Sequence, residues 1–239
     1  MIFLKEFLLL FFVTFTLVQG RWPWKVKSHY GVESHEFGTI KNYTEGMDSQ
    51  MVPYFVINCI EEVEKRGLKE EGLYFLSGKK NIIKNVLKSN KNKEKADLSK
   101  IENIHDITGA LKLFIRSMEG RLINKKLWVK LLDTCGMDIG CREPELKNNI
   151  LEFSKPIRQT LAFIIKHLQL VSQIPENKMF IESLALAFSR TLFSDIGMKK
   201  NVIRMLTPSR IFIIKRLLEL PSEFWQAIIS NDYDVVSPQ

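Results

Sequence analysis

Apolar side chains recur along this chain at helical spacing. Val52, Phe55, Val56, Cys59, Ile60 and Val63 follow the i, i+3, i+4, i+7 rule of an amphipathic helix, and Gly67 behind Lys65-Arg66 marks its stop. Ile82, Ile83, Val86 and Leu87 predict a short helix, Ile104 to Met118 a longer and strongly apolar one, and Leu127 to Leu132 another. After Pro156, the run Ile157, Leu161, Ile164, Ile165, Leu168 and Val171 predicts a buried helix that ends near Pro175. Phe180 to Leu192 and Ser209 to Leu220 supply two more, and Pro221-Ser222-Glu223 opens a final short one. No stretch alternates cleanly with the period of two that a half-buried strand needs, and no unit of roughly 20 to 50 residues repeats. The pattern predicts an all-α fold, a bundle of about eight or nine helices.

Two stretches break that pattern. Phe7 to Val18 is almost unbroken apolar sequence, preceded by Met1 to Glu6 with Lys5 and followed by Val18-Gln19-Gly20. This is the anatomy of a signal peptide cut after Gly20, and an apolar core of about 12 residues is too short for a membrane anchor, which takes roughly 20. From Arg21 to Gln50 the chain is polar, spotted with aromatics and without sustained periodicity, which predicts an extended leader lying on or beside the domain. The expected organisation is a signal peptide over 1–20, an N-terminal leader over 21–37, one domain over 38–231 and a tail over 232–239. The chain is then secreted and carries no membrane span. At 239 residues, with 45% hydrophobic and 26% charged side chains, it has material for one sizeable core.

Cysteine usage sits awkwardly with secretion, because small secreted proteins carry dense, even sets of cysteines. Here there are three. Cys59 lies on the apolar face of its helix and reads as a buried thiol; Cys135 and Cys141 are either a disulfide or two loop thiols. Neither their spacing nor the scattered His29, His35, His105 and His167 form a metal-ligand set, and no glycine-rich phosphate loop is present. No metal, cofactor or bound nucleotide is therefore expected. Asn42-Tyr43-Thr44 is a glycosylation acceptor triplet, usable in a secretory compartment.

A net charge of +8 is compatible with nucleic acid, anionic lipid or an acidic protein surface. Lys79, Lys80, Lys84, Lys88, Lys91, Lys93 and Lys95 form the densest basic stretch, and its plainest reading is a solvated helix face and loop. No aromatics interleave those lysines as a single-strand binding groove requires, so no nucleic-acid partner is expected.

Three ordered blocks carry a sharper inference. Arg66-Gly67-Leu68-Lys69-Glu70-Glu71-Gly72-Leu73-Tyr74-Phe75-Leu76-Ser77-Gly78 follows a helix opened by Pro53. Asp106-Ile107-Thr108-Gly109-Ala110-Leu111-Lys112-Leu113-Phe114-Ile115-Arg116 comes next, then Asn177-Lys178-Met179 followed by Leu184-Ala185 and Thr191-Leu192. Together they resemble the "EGLYxxSG" loop, the "GALKxxxR" helix and the "NKM…LA…TL" segment of the Rho GTPase-activating (RhoGAP) domain, nearest the chimaerin group. The resemblance covers residues 38–231. Signal peptide plus RhoGAP domain is also similar to the secreted venom RhoGAP proteins of parasitoid wasps.

The resemblance implies a helical domain that docks on a Rho-family GTPase, Rac-like and GTP-bound, as a monomer and without being a GTPase itself. Family members place a catalytic arginine one residue after the loop tyrosine. This chain has Phe75 there. Phenylalanine offers neither charge nor donor, so impaired activation is expected. Lys112 and Arg116, four apart and hence on one helix face, match the basic pair that supports the finger loop and contacts the GTPase. Asn177 matches an asparagine whose amide reaches the GTPase near the nucleotide. By themselves these three read as an exposed basic stripe and a helix N-cap.

The chain also departs from the family pattern. Ser117-Met118-Glu119-Gly120-Arg121-Leu122-Ile123 stands where "LPEPLI" is usual, and Ser189-Arg190-Thr191-Leu192 where "GPTL" is usual. Losing both prolines is expected to soften the first turn, and Arg190 puts a large cation where a small residue belongs. Two alternatives stay open: a working activator in which another residue fills the role, and a helical scaffold repurposed as a secreted interaction protein.

Overall fold

Nine α-helices run through the described residues of the computed structural model, which are 38–232 apart from Ser49, Lys93, 136–138 and 196–197. The expected signal peptide over 1–20, the leader over 21–37, the tail from 233 and the state of Cys135 and Cys141 lie outside the described residues. The helices are α1 (Tyr54–Arg66), α2 (Lys80–Asn90), α3 (Ile104–Ser117), α4 (Lys125–Cys135) and α5 (Ile139–Leu151), followed by α6 (Lys155–Ser172), α7 (Ile181–Phe188), α8 (Lys200–Glu219) and α9 (Ser222–Ser230). Short 3₁₀ turns form at Ile40–Tyr43 and Pro175–Asn177. Among the described residues there is no strand, only an isolated bridge between Ile123 and Phe193. The all-α expectation holds.

Two helices form the spine of the core. Helix α3 buries Ile107, Ala110, Leu111, Phe114 and Ile115 and packs against α1 and α2. Its start is fixed by Asn103, whose Oδ1 accepts from the His105 N–H at 2.8 Å. Helix α6 carries the predicted run from Leu161 to Val171 and packs against α1, α7, α8 and α9. Phe55 of α1 meets Phe114 of α3 with ring centroids 5.1 Å apart, and burying rings of this size contributes about 1.5–3 kcal/mol each. Cys59 lies on this same face and is fully buried, as its place in the α1 pattern predicts, and burial pushes its thiol up.

Three departures from the expected pattern have physical causes. Residues 40–44, in a stretch without apolar periodicity, nevertheless pack on the core: Ile40 and Thr44 are buried, and Tyr43 sets its ring edge-on to Phe114 at 5.0 Å. Helix α5 escapes the periodicity because it contains Pro144 and anchors mainly through Leu146 and Ile150. Helix α8 starts at Lys200, well before the expected Ser209, and runs through Pro208. None of its residues before Arg210 is buried, so that half shows little apolar pattern. Among the described residues no helix is long and apolar enough to cross a membrane.

Candidate functional site

The loop from Gly67 to Gly78 joins α1 to α2 and is folded by its own turns before any tertiary contact is counted. Gly72 has φ +69°, and its carbonyl accepts from both the Phe75 and Leu76 N–H groups at 2.8 Å. A glycine suits that left-handed position. At the far end, a Cβ on Gly78 would lie 2.2 Å from Asp106 Oδ1, so only glycine permits the close approach to α3. Asp106 uses that approach: its Oδ1 accepts from the Lys79 N–H at 2.5 Å and ties the loop's exit, where α2 begins, to the first turn of α3.

Tyr74 is the anchor of the loop. Its backbone sits at φ +68°, a region that costs a residue with a Cβ about 1–2 kcal/mol and persists only where the surroundings over-determine it. Those surroundings are present. The ring is fully buried, with the Phe188 ring at 5.1 Å and the His167 ring at 5.6 Å. The hydroxyl meets His167 Nε2 at 2.7 Å, and His167 Nδ1 meets Glu64 Oε1 at 2.8 Å. A carboxylate can only accept, so Nδ1–H donates to Glu64, and in the Nδ1–H tautomer Nε2 accepts from the Tyr74 hydroxyl. Burial pushes that hydroxyl's pKa well up, so it remains a donor at any ordinary pH.

The Tyr74 carbonyl, one bond from Phe75, accepts from Lys112 Nζ. Lys112 is half-buried, and burial, with the charge of Arg116 beside it, pushes its ammonium down to about 7. Arg116 Nε in turn donates to the Lys112 carbonyl at 3.2 Å, so the predicted pair does share one face of α3. The peptide that carries residue 75 is therefore held from both sides. Phe75 itself is half-buried, and Leu76 beside it is 48% exposed.

Asn177 reaches the same loop from the opposite flank, but not at a surface. It is fully buried. Its Nδ2 donates to the Leu68 and Val171 carbonyls at 2.9 Å each, its Oδ1 accepts from the Met179 N–H at 2.7 Å, and its own carbonyl accepts from the Gly72 N–H at 2.9 Å. The amide expected to reach a partner is turned inward here because a loop carbonyl, a carbonyl of the last turn of α6 and a turn N–H already occupy it. Nor is it a helix N-cap, since α7 begins at Ile181 behind Phe180. Phe75, Lys112 and Asn177 thus converge on one loop, with Asn177 as a clamp, while Arg116 lies one turn further along α3 with its Nε on the Lys112 carbonyl. Asn42 stands apart on the exposed 3₁₀ turn Ile40–Tyr43, where Thr39 Oγ1 donates to its Oδ1 at 2.9 Å.

Two residues of this site were not legible in the sequence. Glu64 and His167 lie 103 positions apart, one on the exposed side of α1 and the other among isoleucines and leucines, and nothing in spacing pairs them. A cation that could replace the missing finger is also accounted for. Arg66 is tied to Glu62 and donates to the carbonyls of Ile101 at 2.5 Å and of Leu98 and Glu102 at 3.3 Å.

The segment after α3 is not left loose by its missing prolines, which corrects the expected softening. Arg121, at φ +49°, turns its guanidinium inward and donates to the Arg190 carbonyl at 2.8 Å, the Phe193 carbonyl at 2.6 Å and Asp195 Oδ2 at 3.0 Å. Arg210, fully buried, donates to the other Asp195 oxygen at 2.5 Å. Ile123 N–H to the Leu192 carbonyl at 2.9 Å completes the joint. Arg190, the unexpected cation, points to solvent and lends this joint only its carbonyl.

With this geometry in hand, comparison with known proteins is consistent from every side. A profile of the RhoGAP domain matches residues 53–196. Rac GTPase-activating protein 1 of Mus musculus is 32% identical over 195 residues, 80% of this chain and 31% of that protein. Rho GTPase-activating protein 12 of Homo sapiens is 33% identical over 72% of this chain and 21% of its own length, and human N-chimaerin 35% over 59% and 32%. The chain thus spans about a third or less of the length of these curated relatives. The crystal structure of human Rho GTPase activating protein 15 superposes with a TM-score of 0.71 at 28% identity, covering 81% of this chain and 93% of that one. The BH domain of GRAF, the GTPase regulator associated with focal adhesion kinase, gives 0.64 at 22% identity over 72% and 93%, a likeness of fold alone. A finger loop braced by Lys112 and clamped by Asn177, inside a helical domain that superposes on solved relatives, makes this chain a member of the RhoGAP domain family.

Proposed function

We propose that this chain binds a Rho-family GTPase of the Rac type, in its GTP-bound state and as a monomer, and does not accelerate its hydrolysis. The observation that carries this reading is Phe75, seated in a loop whose supports all survive around it. Rho-type GTPases hydrolyse slowly because charge developing on the phosphoryl oxygens is incompletely compensated. An arginine finger supplies that compensation and contributes about 10³ to 10⁵ in rate, or about 4–7 kcal/mol of barrier. Phe75 has no donor and no charge to offer. Arg66 is held on the 98–102 segment, and Lys112 is engaged with the Tyr74 carbonyl. A chain seated on the GTPase in this way blocks effectors and working activators. Residues 1–20 support secretion, as in the venom RhoGAP proteins of parasitoid wasps that the chain resembles, and a cytosolic target then requires an uptake step.

The test is capture of the chain on Rac-, Rho- and Cdc42-type GTPases loaded with a non-hydrolysable GTP analogue. Binding is expected, strongest for the Rac type, and Arg116→Ala is expected to weaken it about tenfold or more. Failure to bind any of the three overturns the proposal in favour of a repurposed scaffold.

A further inference from the structure

From Lys79 to Lys93 the chain has six lysines and no acid. Helix α2 organises them. Ile83, Val86 and Leu87 turn inward against α3, leaving Lys80, Lys84 and Lys88 exposed at i, i+4 and i+8, a row ~12 Å long. Lys79 is exposed at the head of the same helix, and Lys95 beyond its end. Among the described residues no carboxylate pairs with Lys79, Lys80, Lys84 or Lys88, although other lysines of the domain, Lys69, Lys130, Lys147, Lys178 and Lys215, each have one. The patch is thus a run of positive charge with no carboxylate among the described residues set against it.

The chemistry of the row narrows its partner. Between the lysines the exposed positions are Asn81, Asn85 and Ser89, with neither an aromatic for bases to stack on nor an apolar anchor for a protein interface. Lysine also lacks the planar fork that grips a single phosphate bidentately. What remains is a strip of hydrated point charges, which suits a surface whose negative charge is spread laterally: a bilayer rich in anionic headgroups, to which each lysine near the surface contributes several-fold in affinity. We propose that the exposed face of α2 is an electrostatic docking strip for anionic membrane. Lys79 directly follows Gly78, and Asp106 of α3 holds that junction, so membrane contact and GTPase contact fall on adjoining elements. The proposal stands independently of whether the loop binds a GTPase.

The test is cosedimentation of the chain with vesicles of phosphatidylcholine alone and with about a third phosphatidylserine. Binding is expected on the anionic vesicles only, and is expected to disappear at about 0.5 M salt, where screening is nearly complete over a few ångströms. The triple variant Lys80→Gln, Lys84→Gln, Lys88→Gln is expected to lose on the order of a hundredfold in affinity. The control triple Lys125→Gln, Lys126→Gln, Lys200→Gln removes the same charge from exposed positions elsewhere and is expected to lose only a few-fold. Circular dichroism confirms that both fold. Equal loss in the two triples overturns the proposal, as do equal binding to neutral vesicles and binding that survives high salt. Tighter binding to a single-stranded oligonucleotide than to the anionic vesicles overturns it as well, and assigns the strip to nucleic acid.

Discussion

The loop over 67–78 and the segment over 117–123 adjoin opposite ends of the basic face of α3, and they depart from the family pattern in opposite ways. The loop retains its glycines, its strained tyrosine, the lysine on that tyrosine's carbonyl and the asparagine beneath, and changes one side chain at its tip. The segment loses both usual prolines and is rebuilt on charge, with Asp195 set between Arg121 and Arg210. The first region keeps a scaffold without its reactive group. The second keeps a shape without its usual residues. Position in the loop is held by many contacts, so one substitution removes chemistry without removing structure, whereas the segment depends on a few buried charges.

That contrast is broken or sharpened by mutation, and the largest effect belongs to the tip. Phe75→Arg is expected to create activation of a GTP-loaded Rac-type GTPase, about a hundredfold or more over the intrinsic rate, read by single-turnover phosphate release. A revertant that folds and binds yet stays inert shifts the blame to the rebuilt 117–123 segment or to Arg190. Next comes the charge joint. Asp195→Ala leaves two buried guanidiniums without a counter-ion and is expected to cost about 3–5 kcal/mol in denaturant unfolding. Asn177→Ala strips the Leu68 and Val171 carbonyls and the Met179 N–H of their partner, and about 2–3 kcal/mol of stability is expected to go with them. Tyr74→Phe keeps the ring packing but leaves His167 Nε2 unpaired, for a loss of about 1–2 kcal/mol.

The last effect is a slope with pH. Lys112 is held at about 7 in the folded chain against its ordinary 10.5, so between those values the unfolded chain binds more protons than the folded one. Stability is therefore expected to rise with pH across that window through this residue. Below about 7 lysine is protonated in both states and its contribution becomes flat. Lys112→Met removes this titration and is expected to flatten the pH slope, which thermal melts across the window resolve.

Much of this was legible in the sequence, and the reasons are specific. Apolar periodicity located α1, α2, α3, α6 and α7, since each buries a stripe of apolar side chains; Leu127 to Leu132 marked α4, which buries only Leu131 of that run, and the Pro221-Ser222-Glu223 start marked α9. Helix α5 and the first half of α8 were not, because Pro144, Pro208 and sparse burial erase the signal that periodicity reads. At the site, Phe75, Lys112, Arg116 and Asn177 were found through a motif, and the structure gathers Phe75, Lys112 and Asn177 on one loop with Arg116 a turn away on α3. Whether Asn177 faces outward or inward is a tertiary fact that a motif does not carry. Glu64, His167 and the arginine joint belong to partners far apart in the chain, which only the folded molecule brings within hydrogen-bond distance.

The most direct test of binding without activation follows both events in one sample. The unmodified chain is titrated into GTP-loaded Rac-type GTPase while complex formation and phosphate release are recorded together. Saturable binding with release held at the intrinsic rate is the expected result. Release accelerated beyond about tenfold at saturation, which is ~1.4 kcal/mol off the barrier, contradicts the account, as does the failure of any complex to form.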